Sequence, residues 1–194
     1  MSLQGKRIAI LAGPEYEDLE LHYPLLRLVE AGGEVKVLAA SREPVKGKHG
    51  LSVTPDLTFD EAKPQDFDAV VVPGGWAPDR VRRNEKAVSF VKSMHDDGKL
   101  VAAICHGPQV LISARILRGK KVTCFAAVKD DVINAGADYL VQEVVVDGNV
   151  ITSRVPSDLP FFCRGDHKVA LSGVNTRACQ RRQLRFRPSQ ISTT

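Results

Sequence analysis

At 194 residues the chain fits one domain with a sizeable core, and its 43 % apolar and 26 % charged residues are ordinary for a globular protein. No run approaches the ~18 uninterrupted apolar residues of a membrane span. The N-terminus passes from Met1-Ser2-Leu3-Gln4 into a strand-like run without a signal peptide's apolar stretch, so a cytoplasmic protein without a membrane partner is expected.

The net charge of +4 does not mark a nucleic-acid-binding face. Five arginines and no acid fall within residues 173–194, which leaves 22 basic against 23 acidic residues elsewhere. Nucleic acid is therefore not an expected partner. The cysteines Cys105, Cys124, Cys163 and Cys179 lack C-x-x-C spacing and read as free thiols of a reducing compartment.

Short apolar runs alternate with helical periods along the chain. Lys6–Ala12 reads as a buried strand. Leu21, Leu25, Leu28 and Val29 recur at helical spacing from Leu19 to Ala31, where Gly32-Gly33 stops the helix. Glu34–Ala40 is a second strand, Gly47–Val53 has room for a small hairpin, and Phe67–Val72 is a third strand ending in Pro73-Gly74-Gly75. A helix over Glu85–Asp97 leads to a strand at Leu100–Ile104, then a helix from His106 to Leu117 and a strand at Lys121–Phe125. Val128–Ala135 reads as a short helix. Val141–Val146 and Val150–Thr152 flank Asp147-Gly148-Asn149, a hairpin signal. This order predicts one α/β domain over 1–171, with right-handed crossovers and a mostly parallel sheet. Residues 172–194 are rich in Arg, Gln and Ser with no apolar period, and a disordered tail is expected there.

Val101-Ala102-Ala103-Ile104-Cys105-His106-Gly107-Pro108 carries the chemistry. An apolar strand runs directly into a nucleophilic side chain, then a glycine and a helix, which is the pattern of a nucleophile elbow. The following helix is expected to direct its N-terminal N–H groups at the thiol and lower its pKa. A cysteine at a strand end also reads as a small buried hydrophobe. Gly74-Gly75 closes the neighbouring strand. The amides of Gly75 and His106 are candidates for an oxyanion hole at the carboxyl edge of the sheet, where ligands of open α/β sheets bind. Glu15, Glu17 and Asp18 reach the same edge. An acid buried beside the sulfur stays protonated and donates to it, but spacing does not choose among the three.

Several segments together resemble the PfpI-type intracellular cysteine peptidases, within the superfamily of the parkinsonism-associated deglycase and the Hsp31-type chaperones. They are Glu15-Tyr16-Glu17-Asp18, Lys48-His49-Gly50, Leu57-Thr58-Phe59-Asp60, Pro73-Gly74-Gly75-Trp76-Ala77-Pro78-Asp79, Ala103–Pro108, Asp130–Ala137 and Arg154–Leu159. The resemblance implies a flavodoxin-like three-layer sandwich, a nucleophile at Cys105 and a carboxyl from Glu17 against the thiol. It also implies a triad of Cys105, His106 and an acid at Asp79 supplied by a neighbouring subunit. Asp79 is shorter than the glutamate usual there. The family also continues after Cys163-Arg164 with an apolar helix, where this chain has Gly165-Asp166-His167 and the Arg-rich tail.

The function expected is a cysteine-dependent hydrolase or lyase acting on small carbonyls, glycated adducts or peptides, with no metal or cofactor, in a homodimer or larger assembly. The alternative is a redox sensor or stress chaperone that uses an oxidisable Cys105.

Overall fold

The computed structural model describes residues 2–163; the expected tail lies outside them. The strands are β1 (Arg7–Leu11), β2 (Glu34–Ala39), β3 (Val45–Lys46), β4 (Ser52–Val53), β5 (Leu57–Thr58), β6 (Ala69–Val72), β7 (Leu100–Ile104), β8 (Lys121–Val122), β9 (Asp138–Tyr139), β10 (Val144–Asp147) and β11 (Val150–Ser153). The helices are α1 (Asp18–Glu30), α2 (Ala77–Val81), α3 (Glu85–Asp96), α4 (Pro108–Ser113), α5 (Lys129–Asn134) and α6 (Leu159–Phe162).

Seven strands form one sheet in the order β10-β11-β7-β6-β1-β2-β5. Its pairings are parallel except for the β10–β11 hairpin. Alternation along each strand separates two apolar layers. Ala9, Leu11, Val70, Val72, Val101 and Ala103 face the side packed by Phe90, Val91, Met94, Val110 and Leu111. Ile8, Ile10, Ala69, Val71, Ala102 and Ile104 face the side packed by Leu21, Leu159 and Phe162. Helices cover both faces of a mostly parallel sheet, and the fold is the flavodoxin-like three-layer sandwich.

Two expectations are corrected. The run Lys121–Phe125 does not join the large sheet. Only Lys121–Val122 is extended, in a separate parallel pair with β9. The Thr123 amide N–H donates to the Thr152 hydroxyl, and that of Phe125 to the Cys105 carbonyl, so side-chain and turn contacts replace the ladder. The helix after Cys105 spans Pro108–Ser113 rather than His106–Leu117, because Arg115 takes a left-handed conformation at φ 57°. Both β5 and α2 are elements too short to show a period.

A loop over residues 47–51 joins β3 to β4 and folds onto the start of α1. Asp18, only 3 % exposed, accepts the amide N–H groups of His49 at 2.8 Å and Leu51 at 2.7 Å. The Lys48 amide donates to the Tyr16 carbonyl. Asp18→Ala removes two charge-assisted acceptors, each contributing about 1.5–3 kcal/mol. Urea denaturation should show a loss of about 3–6 kcal/mol for Asp18→Ala, and a smaller loss for Asp18→Asn, which keeps one acceptor oxygen.

Candidate active site

The turn after β7 carries Cys105 at φ 62°, a strained conformation for a residue with a Cβ. Its neighbours hold it there. The Cys105 N–H donates to the Ser153 carbonyl at 3.1 Å, its carbonyl accepts from Phe125 at 3.0 Å, and Gly107 N–H closes the turn onto Ile104 at 2.8 Å. A Cβ at Gly107 would lie 2.2 Å from the Val72 carbonyl oxygen, and one at Gly74 would lie 2.7 Å from Cys105 Cβ. Both positions therefore require glycine for close approach.

The loop after β6 lies against the loop after β1. Glu17 N–H donates to the Gly74 carbonyl and Trp76 N–H to the Glu15 carbonyl. This pairing aims the Gly75 amide, together with that of His106, at the Cys105 sulfur. The two donors expected for an oxyanion hole thus converge on the Cys105 sulfur. His106 Nδ1 stands 3.3 Å from Sγ, with its ring stacked on Phe125 at 4.9 Å. Burial, then the charge of Lys48, lowers the His106 pKa, so the imidazole is neutral at pH 7 and can accept a proton.

The carboxyl at the sulfur belongs to Glu20. Glu17, the expected partner, turns toward the 47–51 loop, with Oε1 3.3 Å from His49 Nε2 and Oε2 3.9 Å from Lys48 Nζ. Three residues further round α1, Glu20 is fully buried. Its Oε2 accepts the Gly74 N–H at 2.8 Å, and the carboxyl interacts with the Cys105 side chain. Oε1 is buried without a hydrogen-bond partner. Burial raises the Glu20 pKa from its ordinary 4.5 to about 8, against the pull of the Gly74 amide.

The thiol does not follow the direction expected from the helix. Burial and an ionised Glu20 push the Cys105 pKa up, while the amides of Gly75 and His106 pull it down. The two groups titrate as a pair. When Glu20 holds the proton its repulsion of the sulfur vanishes.

Asp79, in the first turn of α2, lines the same cavity as His106 and Trp76. No hydrogen bond or ion pair joins it to His106 among the described residues. Cys124 and Cys163 are each pushed up to about 12, mainly by burial. Among the described residues no group of His, Cys, Asp and Glu has the arrangement of a metal site. No helix there is long and apolar enough to cross a membrane.

Residues 6–166 match the DJ-1/PfpI family. This chain belongs to that family. It is 56 % identical over 158 residues to the protein named deglycase PH1704 of Pyrococcus horikoshii, covering 81 % of this chain and 95 % of that relative. It is 46 % identical over 163 residues to Escherichia coli protein/nucleic acid deglycase 2, covering 82 % and 95 %. A two-domain protein of Anabaena variabilis with DJ-1/ThiJ/PfpI-like and ferritin-like domains superimposes with a TM-score of 0.83 at 50 % identity, over 87 % of this chain and 48 % of that one. The family placement and the flavodoxin-like architecture inferred from the motifs agree with these findings.

Glu20 binds more protons folded than unfolded between pH 4.5 and 8, so stability falls as pH rises through that window. Denaturation at pH 5 and pH 8.5 should show a loss on the order of a few kcal/mol for the wild type. Glu20→Gln, which cannot ionise, should show a much flatter profile. Equal profiles would contradict a shifted carboxyl at this position.

Proposed function

We propose that this protein is a cysteine-dependent hydrolase that removes reactive-carbonyl adducts from amines or thiols, the deglycase class its relatives' names describe. The observation that supports it best is the convergence on one sulfur, beside an open cavity, of a neutral imidazole at 3.3 Å, a buried carboxyl and two amide donors. The arrangement supplies a nucleophile, a base, an acid and a place for an oxyanion.

For a carbinolamine formed from an amine and a 2-oxoaldehyde, the steps balance within the substrate and water. His106 Nδ1 takes the Cys105 proton. Sulfur bonds to the carbinol carbon, the C–N bond breaks, and the amine leaves with the proton His106 returns. The carbinol C–H proton then moves to the adjacent carbonyl carbon through an enediol, so one carbon is oxidised and its neighbour reduced, leaving a thioester on Cys105. Water cleaves the thioester to a 2-hydroxy acid and regenerates the thiol. Glu20, buried beside Cys105, stays protonated throughout, and once the sulfur is bonded to carbon the Gly75 and His106 amides, which lie at the sulfur, are the donors available to the oxygen on that carbon. Asp79 completes a triad only if a second copy places it against His106.

The reaction is tested by incubating methylglyoxal-treated N-acetylarginine and N-acetylcysteine with wild type and Cys105→Ala, following release of free arginine and thiol. Wild type should release both, and Cys105→Ala should be slower by about 100-fold or more, the scale of an acid–base or covalent group. Equal rates would overturn the reading. No turnover, with Cys105 gaining the mass of two oxygens under mild peroxide, would support the redox-sensor alternative instead.

A further inference from the structure

Backbone contacts bring the loop over residues 47–51 to the rim of the site. Tyr16 pairs in extended conformation with Gly47 on one side and with Gly75 on the other, and the Lys48 N–H donates to the Tyr16 carbonyl. Gly47 fits so closely that a Cβ there would lie 2.5 Å from an Asp18 carboxylate oxygen. The loop is held by its backbone, and the side chains of Lys48 and His49 are not what hold it.

Both of those side chains reach Glu17. Lys48 Nζ lies 3.9 Å from its Oε2, and His49 Nε2 lies 3.3 Å from its Oε1. Glu17 is joined in turn to the buried acid. Its N–H donates to the Gly74 carbonyl, the Gly74 N–H donates to Glu20 Oε2, and the Glu20 N–H donates back to the Glu17 carbonyl at 3.0 Å. The Glu17 side chain is 12 % exposed against 46 % for Lys48, so water screens this pair less than it would a surface pair.

The charged groups around Glu20 oppose one another. Glu17 disfavours its ionised form, and Lys48 favours it. Lys48 also disfavours a charged His106, while the charged group that the sulfur feels most is Glu20. Asp18 spends its carboxylate on the loop amides. A cation that steadies the Glu20 carboxylate and discourages the imidazolium works against the thiolate.

We infer that Glu17 and Lys48 are opposed positioning residues that act on Cys105 through Glu20, Lys48 drawing the first negative charge of the site onto the Glu20 carboxyl and Glu17 returning it to the sulfur. The inference concerns the nucleophile alone, so it stands or falls apart from the carbonyl-adduct reading.

The test is the rate of iodoacetamide labelling of Cys105 in the full-length protein, followed by peptide mass across a range of pH. Rates at pH 8.5, just above the point at which Glu20 ionises, are the most sensitive. Lys48→Gln keeps Glu20 protonated to higher pH and should label about 3-fold faster than wild type. Glu17→Gln should label about 3- to 10-fold slower. Both are the effect of moving that titration by on the order of one pH unit. The double variant should return toward the wild-type rate, and Lys48→Arg, which keeps the charge, should match it. In a Glu20→Gln background, where no carboxyl titrates beside the sulfur, neither substitution should change the rate. The Asp18 clamp is intact in every variant, and circular dichroism should be unaltered.

Slower labelling of Lys48→Gln would mean that the ammonium acts on the sulfur directly, and overturns the inference. Single variants that both label like wild type overturn it too. So do single variants that move the rate in one common direction, or that keep their effects without Glu20, because the loop would then serve only the structure.

Discussion

Two acidic groups, Glu20 and Cys105, occupy one dry pocket at the carboxyl end of the sheet, and the pocket does not tolerate two negative charges. Everything around them follows from that constraint. Gly74 lacks a side chain because the Glu20 carboxyl and the Cys105 Cβ already fill the space one would take. The Gly74 N–H is spent on Glu20, while those of Gly75 and His106 are spent on the sulfur. Adjacent amides of one turn thus serve both members of the pair. Electrostatics in a low-dielectric site, rather than helix-dipole activation, sets the protonation of the nucleophile.

The hairpin loop over 47–51 is a second layer of the same device. It does not touch the sulfur. It carries Lys48 to a place where its charge acts on both Glu20 and His106, and it does so because buried Asp18 clamps its backbone. Acids of one helical turn are divided by orientation. Asp18 organises a loop, Glu17 neutralises what that loop brings, and Glu20 enters the core. Three carboxyls of one chemical type have three jobs because α1 turns them about 100° apart per residue.

Where the sequence was read well, a local rule sufficed. An apolar strand running into Cys105-His106-Gly107 has few structural outcomes, and the local pattern of strand, nucleophilic side chain and glycine was enough to place the thiol and the His106 amide on one turn. Spacing left Glu15, Glu17 and Asp18 open and the resemblance pointed to Glu17, but Glu20, one turn further along α1, is the acid that reaches the sulfur, because only the rotational phase of the helix decides which side chain turns inward. A signal was present: Glu20 continues the stripe of Pro24, Leu28 and Ala31, and an acid in line with inward-facing residues marks a buried carboxyl. The strand expected at Lys121–Phe125 has the right composition, but composition does not say which partner offers a free edge. Thr152 takes the Thr123 amide before any ladder can extend. The short β5 and α2 lie below the length at which a period is visible.

The site draws on the ends of β1, β6, β7 and β11, and β6 sits between β1 and β7 in the sheet although it follows β1 by more than fifty residues. No contiguous stretch of chain contains the acid, the amides and the thiol together. Glu20 is synthesised long before Cys105 and meets it only when the central strands have registered. A chain that stalls, misfolds or is nicked between them keeps an ordinary, solvated cysteine and an ordinary, ionised glutamate. The paired protonation of Glu20 and Cys105, with the Gly75 and His106 amides at the sulfur, is therefore conferred only by completing the sheet.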